Sequence, residues 1–580
     1  MPKPRTQFLL VMVAAFVGQS GETAGADRPS FYQQIDQLVA DARTDSQEQV
    51  AERSSDAEFF RRIHLDLVGS IPSAAETRTF LEDPSPTDEK RERMIDRLLA
   101  DPRYGRRMQY VFDEIIMERR PGANVSDEEW QQYLRESFQQ NQPWDTLVRE
   151  ILSADGVAAE LRPAARFYLD RNLELDVVTR DIGRVFLGVD LECAQCHDHP
   201  FVEDYEQRHY YGINAFLTRT YLFTEPKSKQ KQLGEKAEGD VTFTSVFTNE
   251  EGETDPRMLD LAPIPDPVES AKQYVVEPKK GARGVPSYSR RQALARIMVS
   301  NENRSFHCNI VNRLWALMMG RGLVEPLDCW HSENPPSHPD IVDLLAREFV
   351  DHNHDVRWLL KQLALTETYQ RSSRVETSRL GGDVPQYAAG LLKPLSPEQL
   401  AWSVMQATGV VDQTLAARTA EFQEKHAAST SGNEKGDEIS ADESAVDTTD
   451  DEANDPVWRE QTLRLALKPM IDQFVKRFAA SNGQTTGFDS NAQQALFLMN
   501  STLIQDWLVP NRGNLLDRLS NAESAAPFAE ELYHSVLNRP PSETEIAEVS
   551  VYLAAQLDRT IAAQDLTWAL LTSAEFRFNH

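Results

Sequence analysis

Two of the four cysteines in a chain of 580 residues stand three apart, with a histidine directly behind the second, in the run Cys193-Ala194-Gln195-Cys196-His197-Asp198-His199-Pro200. That C-x-x-C-H spacing suits covalent haem attachment. Thioethers from Cys193 and Cys196 would pin one edge of a single haem c, while His197, next along the backbone, supplies an axial nitrogen to iron. Other chemistries draw on overlapping residues. Cys193 and Cys196 with His199 offer part of a structural zinc site, which wants four ligands and so needs His209 or a more distant histidine. The same pair also serves as a redox dithiol or a plain disulfide, and a chemically silent turn ended by Pro200 gives the same letters.

The compartment bears on that choice. Lys3 and Arg5 precede an apolar run from Phe8 to Val17, and Ala24-Gly25-Ala26 offers a cleavage site before Asp27, so residues 1–26 read as a secretory signal. The run falls short of the roughly 20 residues a spanning helix needs, and no later stretch approaches that length, so no integral membrane span is expected. An exported protein, periplasmic or at the cell surface, is the expectation. Export is compatible with haem c and permits disulfides. Cys308 and Cys329 would then close a loop worth roughly 3 kcal/mol if their geometry allowed it, or remain as free buried thiols. With 91 acidic against 61 basic residues the formal charge is −30, which argues against nucleic acid as a partner and against an anionic membrane surface.

The elements that must position the motif read as helices. Apolar residues at helical spacing (Phe31, Ile35, Leu38, Val39) open the chain, and the run Phe59-Phe60-Arg61-Arg62-Ile63-His64-Leu65-Asp66-Leu67 keeps the rhythm up to Gly69. Capping boxes at Ser73/Glu76, Ser126/Glu129, Ser396/Gln399 and Ser542/Glu545 start later helices, and Tyr104 to Met117 forms one between the first two boxes. His64, Met108 and Met117 are potential iron ligands by type and core side chains by pattern. Val178, Ile182, Val185 and Phe186 run helically to Gly188, so the motif is expected on a turn just beyond a helix end. After it, the amphipathic stretch from Asp204 to Leu217 carries Tyr205, Tyr210, Ile213, Phe216 and Leu217, apolar enough to wall a cofactor or simply to be buried.

Residues 27–225 thus read as a helical block carrying C-x-x-C-H, and 226–284 as a polar linker with a small hairpin built on a strand over Val241 to Phe247. A second helical block occupies 285–580. In it, Ser337 is expected to cap a helix over Ile341 to Val350 with His338 in its first turn, a placement from which His338 could reach iron across a domain interface. His307 beside Cys308 and His331 near Cys329 suggest a separate metal site. Residues 415–457 read as a disordered acidic insert. Helix is expected from Trp458 on through Ala492 to Trp507, and the last helix over Leu566 to Phe576. The fold class is mainly α, a multi-helical two-block architecture. No glycine-rich phosphate loop and no nucleophile elbow occurs.

The runs Phe59 to Gly69, Phe186 to Phe201 and Tyr210-Tyr211-Gly212 resemble the planctomycete cytochrome c-type domain. Asn312-Arg313-Leu314-Trp315, Gly320 to Val324, Asn334 to Pro339 and Trp568 to Phe576 resemble its usual C-terminal companion domain. Both are known mainly as families of unknown function. The resemblance implies a secreted protein with its site at Cys193, Cys196 and His197; histidines matching His199 and His338 recur in the pattern, which leans toward a metal-type or two-centred site. Motif and resemblance together lead to an exported protein with one c-type haem on Cys193, Cys196 and His197, acting in electron transfer or as the redox part of a larger, cell-surface assembly with an unnamed redox partner. The alternatives are a surface binding or scaffold protein with zinc at the C-x-x-C-H-x-H run, and a thiol-disulfide protein. For the distal iron position the candidates are His209 and His338.

Overall fold

A computed structural model describes residues 29–43, 50–247, 249, 251–267, 272–374, 386–432, 453–479 and 492–580. The expected signal at 1–26 lies outside the described residues.

Among the described residues the chain forms 25 α-helices and only strands of two to five residues, so the mainly α expectation holds. The first fifteen helices are α1 (Phe31–Asp41), α2 (Asp56–Val68), α3 (Ala74–Glu82), α4 (Thr87–Ala100), α5 (Pro102–Met117), α6 (Asp127–Gln139), α7 (Trp144–Ser153), α8 (Arg166–Leu169), α9 (Leu175–Ile182), α10 (Gln207–Leu217), α11 (Arg290–Met298), α12 (Arg304–Met319), α13 (Pro339–Asp351), α14 (Val356–Leu365) and α15 (Glu367–Gln370). Ten more follow: α16 (Pro397–Thr408), α17 (Val410–Gly432), α18 (Pro456–Phe478), α19 (Ala492–Asn500), α20 (Thr502–Trp507), α21 (Leu515–Ser520), α22 (Ala525–Val536), α23 (Glu543–Ala555), α24 (Arg559–Thr572) and α25 (Ala574–Arg577). The capping boxes at Ser73, Ser126, Ser396 and Ser542 all form, each satisfying backbone donors that a helix start leaves open.

Packing does not divide at the 226–284 linker. One apolar core runs from Ile35 to Tyr387 and takes in helices from both sides of that stretch; a second runs from Leu400 to Phe576 and also takes Leu65 and Ile71. Helix α2 lies in both, with every residue from Phe59 to Val68 buried, which a one-sided apolar face does not foretell. Between α10 and α11 stand, among the described residues, three two-stranded antiparallel ribbons rather than one hairpin: β1 (Thr220–Thr224) with β2 (Lys231–Glu235), β3 (Val241–Thr244) with β4 (Glu251–Thr254), and β5 (Tyr274–Val276) with β6 (Val285–Pro286). A fourth, β7 (Lys393–Pro394) with β8 (Phe578–Asn579), ties the last residues back to the middle of the chain.

Several local expectations are corrected. Strand β3 stops at Thr244, because the chain turns at Ser245 to bring the Val246 amide to the Cys196 carbonyl, 3.1 Å away. His338, not Ser337, is the N-cap of α13: Pro339 occupies the first helical position and keeps the residue before it out of helical backbone. Helix α17 extends to Gly432, well into the stretch 415–457, and α18 begins at Pro456 inside it; residues 433–452 lie outside the described residues. Helix α18 ends at Phe478 instead of running on, with Ala479 extended, and 480–491 lie outside the described residues. Near the C-terminus, Ser573 breaks the helix and caps α25 with its hydroxyl.

Candidate functional site

The motif is delivered by a helix that loosens before it ends. Helix α9 passes into a π turn over Gly183–Leu187, closed by Gly188 in left-handed backbone (φ 73°). π turns in helices are frequent at functional sites. Glycine is required at 188 for space as well, since a Cβ there would stand 2.8 Å from Asn309 Oδ1. That asparagine reaches back from α12 to donate to the Val185 carbonyl (2.8 Å), and the Trp330 amide donates to the Gly188 carbonyl (3.1 Å), so the turn is held from the 300s of the chain.

The chain then makes a short 3-10 turn, Cys193–Gln195, with Ala194 buried beneath it and both thiols exposed and unbonded. Carbonyls on its inner side are claimed by neighbours: Tyr211 Oη and Gln207 Nε2 donate to Gln195 O (3.0 and 3.4 Å), and Val246 N donates to Cys196 O. The turn is therefore fixed by its backbone while its sulfurs face outward.

Each histidine has a distinct state. His197 Nδ1 lies 2.6 Å from the Asp198 carbonyl. A carbonyl only accepts, so Nδ1 carries the proton and Nε2 keeps its lone pair, the tautomer in which imidazole serves as a metal ligand through Nε2. His199 is the reverse. Its Nδ1 accepts from the amides of Phe201 (3.2 Å) and Val202 (3.0 Å), which puts the proton on Nε2 and makes the side chain a turn brace. His209 is buried on α10, and its Nδ1 accepts from the Glu206 amide (3.3 Å) as half of a helix cap; burial lowers its pKa. His338 stacks edge-on against Tyr387 (5.3 Å) and not on the motif, its Nδ1 3.0 Å from Ser337 Oγ.

The structure thus brings Cys193, Cys196 and His197 to one turn, with His199 and His209 braced nearby through the nitrogen each would need to spend. Among the described residues no three His, Cys, Asp or Glu side chains converge to hold a metal ion. The separate site suggested for His307 and His331 does not assemble: His307 packs against His354 (5.1 Å), while His331 packs edge-on against Tyr205 (5.6 Å). Cys308 and Cys329 are unbonded, for Cys308 is buried in the core on α12 whereas Cys329 lies in the loop paired with Val189. Burial pushes the Cys308 thiol up to about 11, the state of an inert structural thiol. His64 (Nδ1 2.9 Å from Phe60 O), Met108 and Met117 are all core side chains.

What sequence reading missed is the apolar border. Phe201, Val246 and Phe247 are 85, 61 and 74 % exposed, and the Phe247 ring lies 4.6 Å from that of His197. Phe247 is some fifty residues away in sequence and reads there as the end of a strand; only the turn at Ser245 carries it to the motif.

The polar letters of the α2 run have another explanation. Arg61 donates to the Val536 and Phe576 carbonyls and to Asn538 Oδ1 (3.2, 2.9 and 2.7 Å), Arg62 to the Tyr369 and Arg371 carbonyls (2.5 and 2.8 Å), and Asp66 accepts from Lys393, Tyr369 and Asn579. They fasten α2 to both cores.

Residues 34–221 match a family model described as a protein of unknown function (DUF1549), and residues 290–553 match one described as a protein of unknown function (DUF1553), so the chain carries these two domains in the order the resemblance implies. No curated protein and no solved structure matches the chain. No helix among the described residues is long and apolar enough to cross a membrane.

Proposed function

We propose that this chain is an exported protein that holds one c-type haem at Cys193, Cys196 and His197 and works in electron transfer or as the redox part of a larger assembly. The observation that carries the reading is the contact of His197 Nδ1 with the Asp198 carbonyl, 2.6 Å from nitrogen to oxygen, which makes Nδ1 the donor and leaves Nε2 free beside two exposed, unbonded thiols at thioether spacing. The residues fit the group. Exposed sulfurs are open to covalent attachment, and the turn that bears them is bordered by apolar side chains. Backbone bonds to Gln195 and Cys196 hold both attachment points without using their side chains. A haem so held would supply one-electron exchange at iron, tuned by its burial and by the hydrogen bond on its proximal histidine.

A structural zinc is less well supported, because His199 spends its Nδ1 lone pair on two amides and His209 spends its own on the Glu206 amide.

The test is production of the mature chain in a host competent for haem maturation, followed by a haem stain and a haemochrome spectrum. Covalent haem at one per chain is expected, abolished by Cys193→Ser or Cys196→Ser. His197→Ala should leave the thioethers and change spin state and coordination. A colourless protein with stoichiometric zinc would overturn the reading in favour of a structural metal, and one with neither would leave thiol chemistry.

A further inference from the structure

The side chains exposed around the motif form a pattern the haem reading does not use up. Phe201, Val246 and Phe247 are largely bare, and each is tied to the motif turn: Phe201 through its amide to His199, Val246 through its amide to Cys196 O, Phe247 through its ring to His197. All three therefore lie on the border of the one turn. Exposed apolar clusters of this kind mark interaction surfaces.

The chain segment around the patch is predominantly acidic. Between residues 190 and 208 stand Asp190, Glu192, Asp198, Glu203, Asp204 and Glu206, against one cation, Arg208, which is spent on Glu206 at 2.6 Å. All but Glu206 are exposed. Three of them have their places fixed by local bonds: Asp190 Oδ1 accepts from the Glu192 amide, Asp198 Oδ1 from the Gln207 amide, and Asp204 from the Ser332 amide and hydroxyl. Glu192 and Glu203 are exposed, Glu192 with 66 % of its side chain although Arg180 stands 3.8 Å from it.

We infer that this face docks a cationic partner protein, whose apolar centre covers Phe201, Val246 and Phe247 and whose lysines or arginines meet the surrounding carboxylates. Charge selects the occupant. A second copy of this chain would bring the same carboxylates against each other, and an anionic membrane would be repelled as well. An apolar centre inside a charged rim is the arrangement in which electrostatics steer the encounter and the dry centre holds it. That the partner exchanges electrons rests on the haem reading; that it is cationic rests on the surface alone.

The probe is a small basic cytochrome with a lysine ring, offered to the mature chain and titrated calorimetrically at about 20 and about 200 mM salt, with the same cytochrome after lysine acetylation as control. Binding is expected to weaken at least tenfold at the higher salt and to vanish on acetylation. Glu192→Lys with Glu203→Lys should weaken it at least tenfold, and Phe201→Ser several-fold. Glu530→Lys with Glu548→Lys changes the net charge equally on exposed helical positions far along the chain and should leave affinity within twofold. Equal losses from the two charge-reversed pairs, or no binding by the unmodified probe, would overturn the docking face. Haemochrome spectra on the same samples keep the readings apart: binding without haem sinks the electron-transfer reading alone, and haem without dependence on the patch sinks the surface alone.

Discussion

Replacing Lys393 with Met tests whether α2 is fastened as described. Asp66 is 2 % exposed, and its Oδ1 accepts from Lys393 Nζ at 2.6 Å and from Asn579 Nδ2 at 2.8 Å, while Oδ2 accepts from Tyr369 Oη at 2.9 Å. The same ammonium donates to the Leu317 and Met318 carbonyls at the end of α12 (3.0 and 2.9 Å). At an effective dielectric of about 20 the ion pair is worth about 6 kcal/mol in gross Coulomb energy, most of it offset by desolvating both charges. Removing one partner leaves that desolvation uncompensated, so Lys393→Met, which keeps the volume of the stem, should cost about 3–5 kcal/mol. Two neutral donors remain on Asp66, which places the figure toward the lower end. Urea unfolding followed by circular dichroism reads the loss directly. Adding Asp66→Asn closes a double-mutant cycle, and the pair should cost about 1–3 kcal/mol less than the sum of the singles. A loss under about 1 kcal/mol for Lys393→Met, or a coupling near zero, would refute the view that this buried pair holds the second core to the first.

Two further outcomes follow from buried groups near the same elements. Burial holds His64 at about 4 in the folded state against an ordinary 6.5, so it is neutral when folded and takes up a proton on unfolding between those values; its contribution is complete above pH 6.5 and is lost as pH falls through about 4. Between pH 7 and 4.5 the wild type should therefore lose about 2 kcal/mol more than His64→Leu, measured by urea midpoints at both pH values, and parallel acid limbs would rule this out. Gly188→Ala meets both a positive φ and an Asn309 oxygen 2.8 Å from the new Cβ, so a loss of about 2 kcal/mol or more is expected with raised thiol-labelling rates at Cys193 and Cys196; a neutral substitution would show that the π turn is not what sets the motif's position.

Helix positions were legible because their signals are local. The boxes at Ser73, Ser126, Ser396 and Ser542 each satisfy a backbone donor three residues away and need nothing from the rest of the chain. Gly188 likewise announced the end of the helix before the motif. The cores were not legible, since the polar stretch at 226–284 looks like a boundary while Asn309 and Trp330 cross it to bind the turn at 183–188. Histidine roles were illegible for a related reason. A ring's protonation is set by whether its neighbour is a carbonyl or an amide, and His197 and His199, two residues apart, differ on that point alone.

That difference bears on how the two most distinctive runs of the sequence are to be read. In α2 the charged residues are buried and bonded to the fold: Arg61 has three oxygen acceptors, with only its Nε left unpaired, and burial lowers its pKa to about 10, the mark of a guanidinium kept from water by structure. In the motif the chemically capable atoms are the ones left over, the Cys193 and Cys196 thiols and His197 Nε2, while neighbouring backbone groups are paired. Buried polar groups must be bonded if the fold is to stand, so a bonded set needs no ligand to explain it. An exposed set with its backbone fixed and its side-chain atoms free is open to one, and for that reason the search for function belongs at residues 193–201 and along the apolar border that Val246 and Phe247 bring to them.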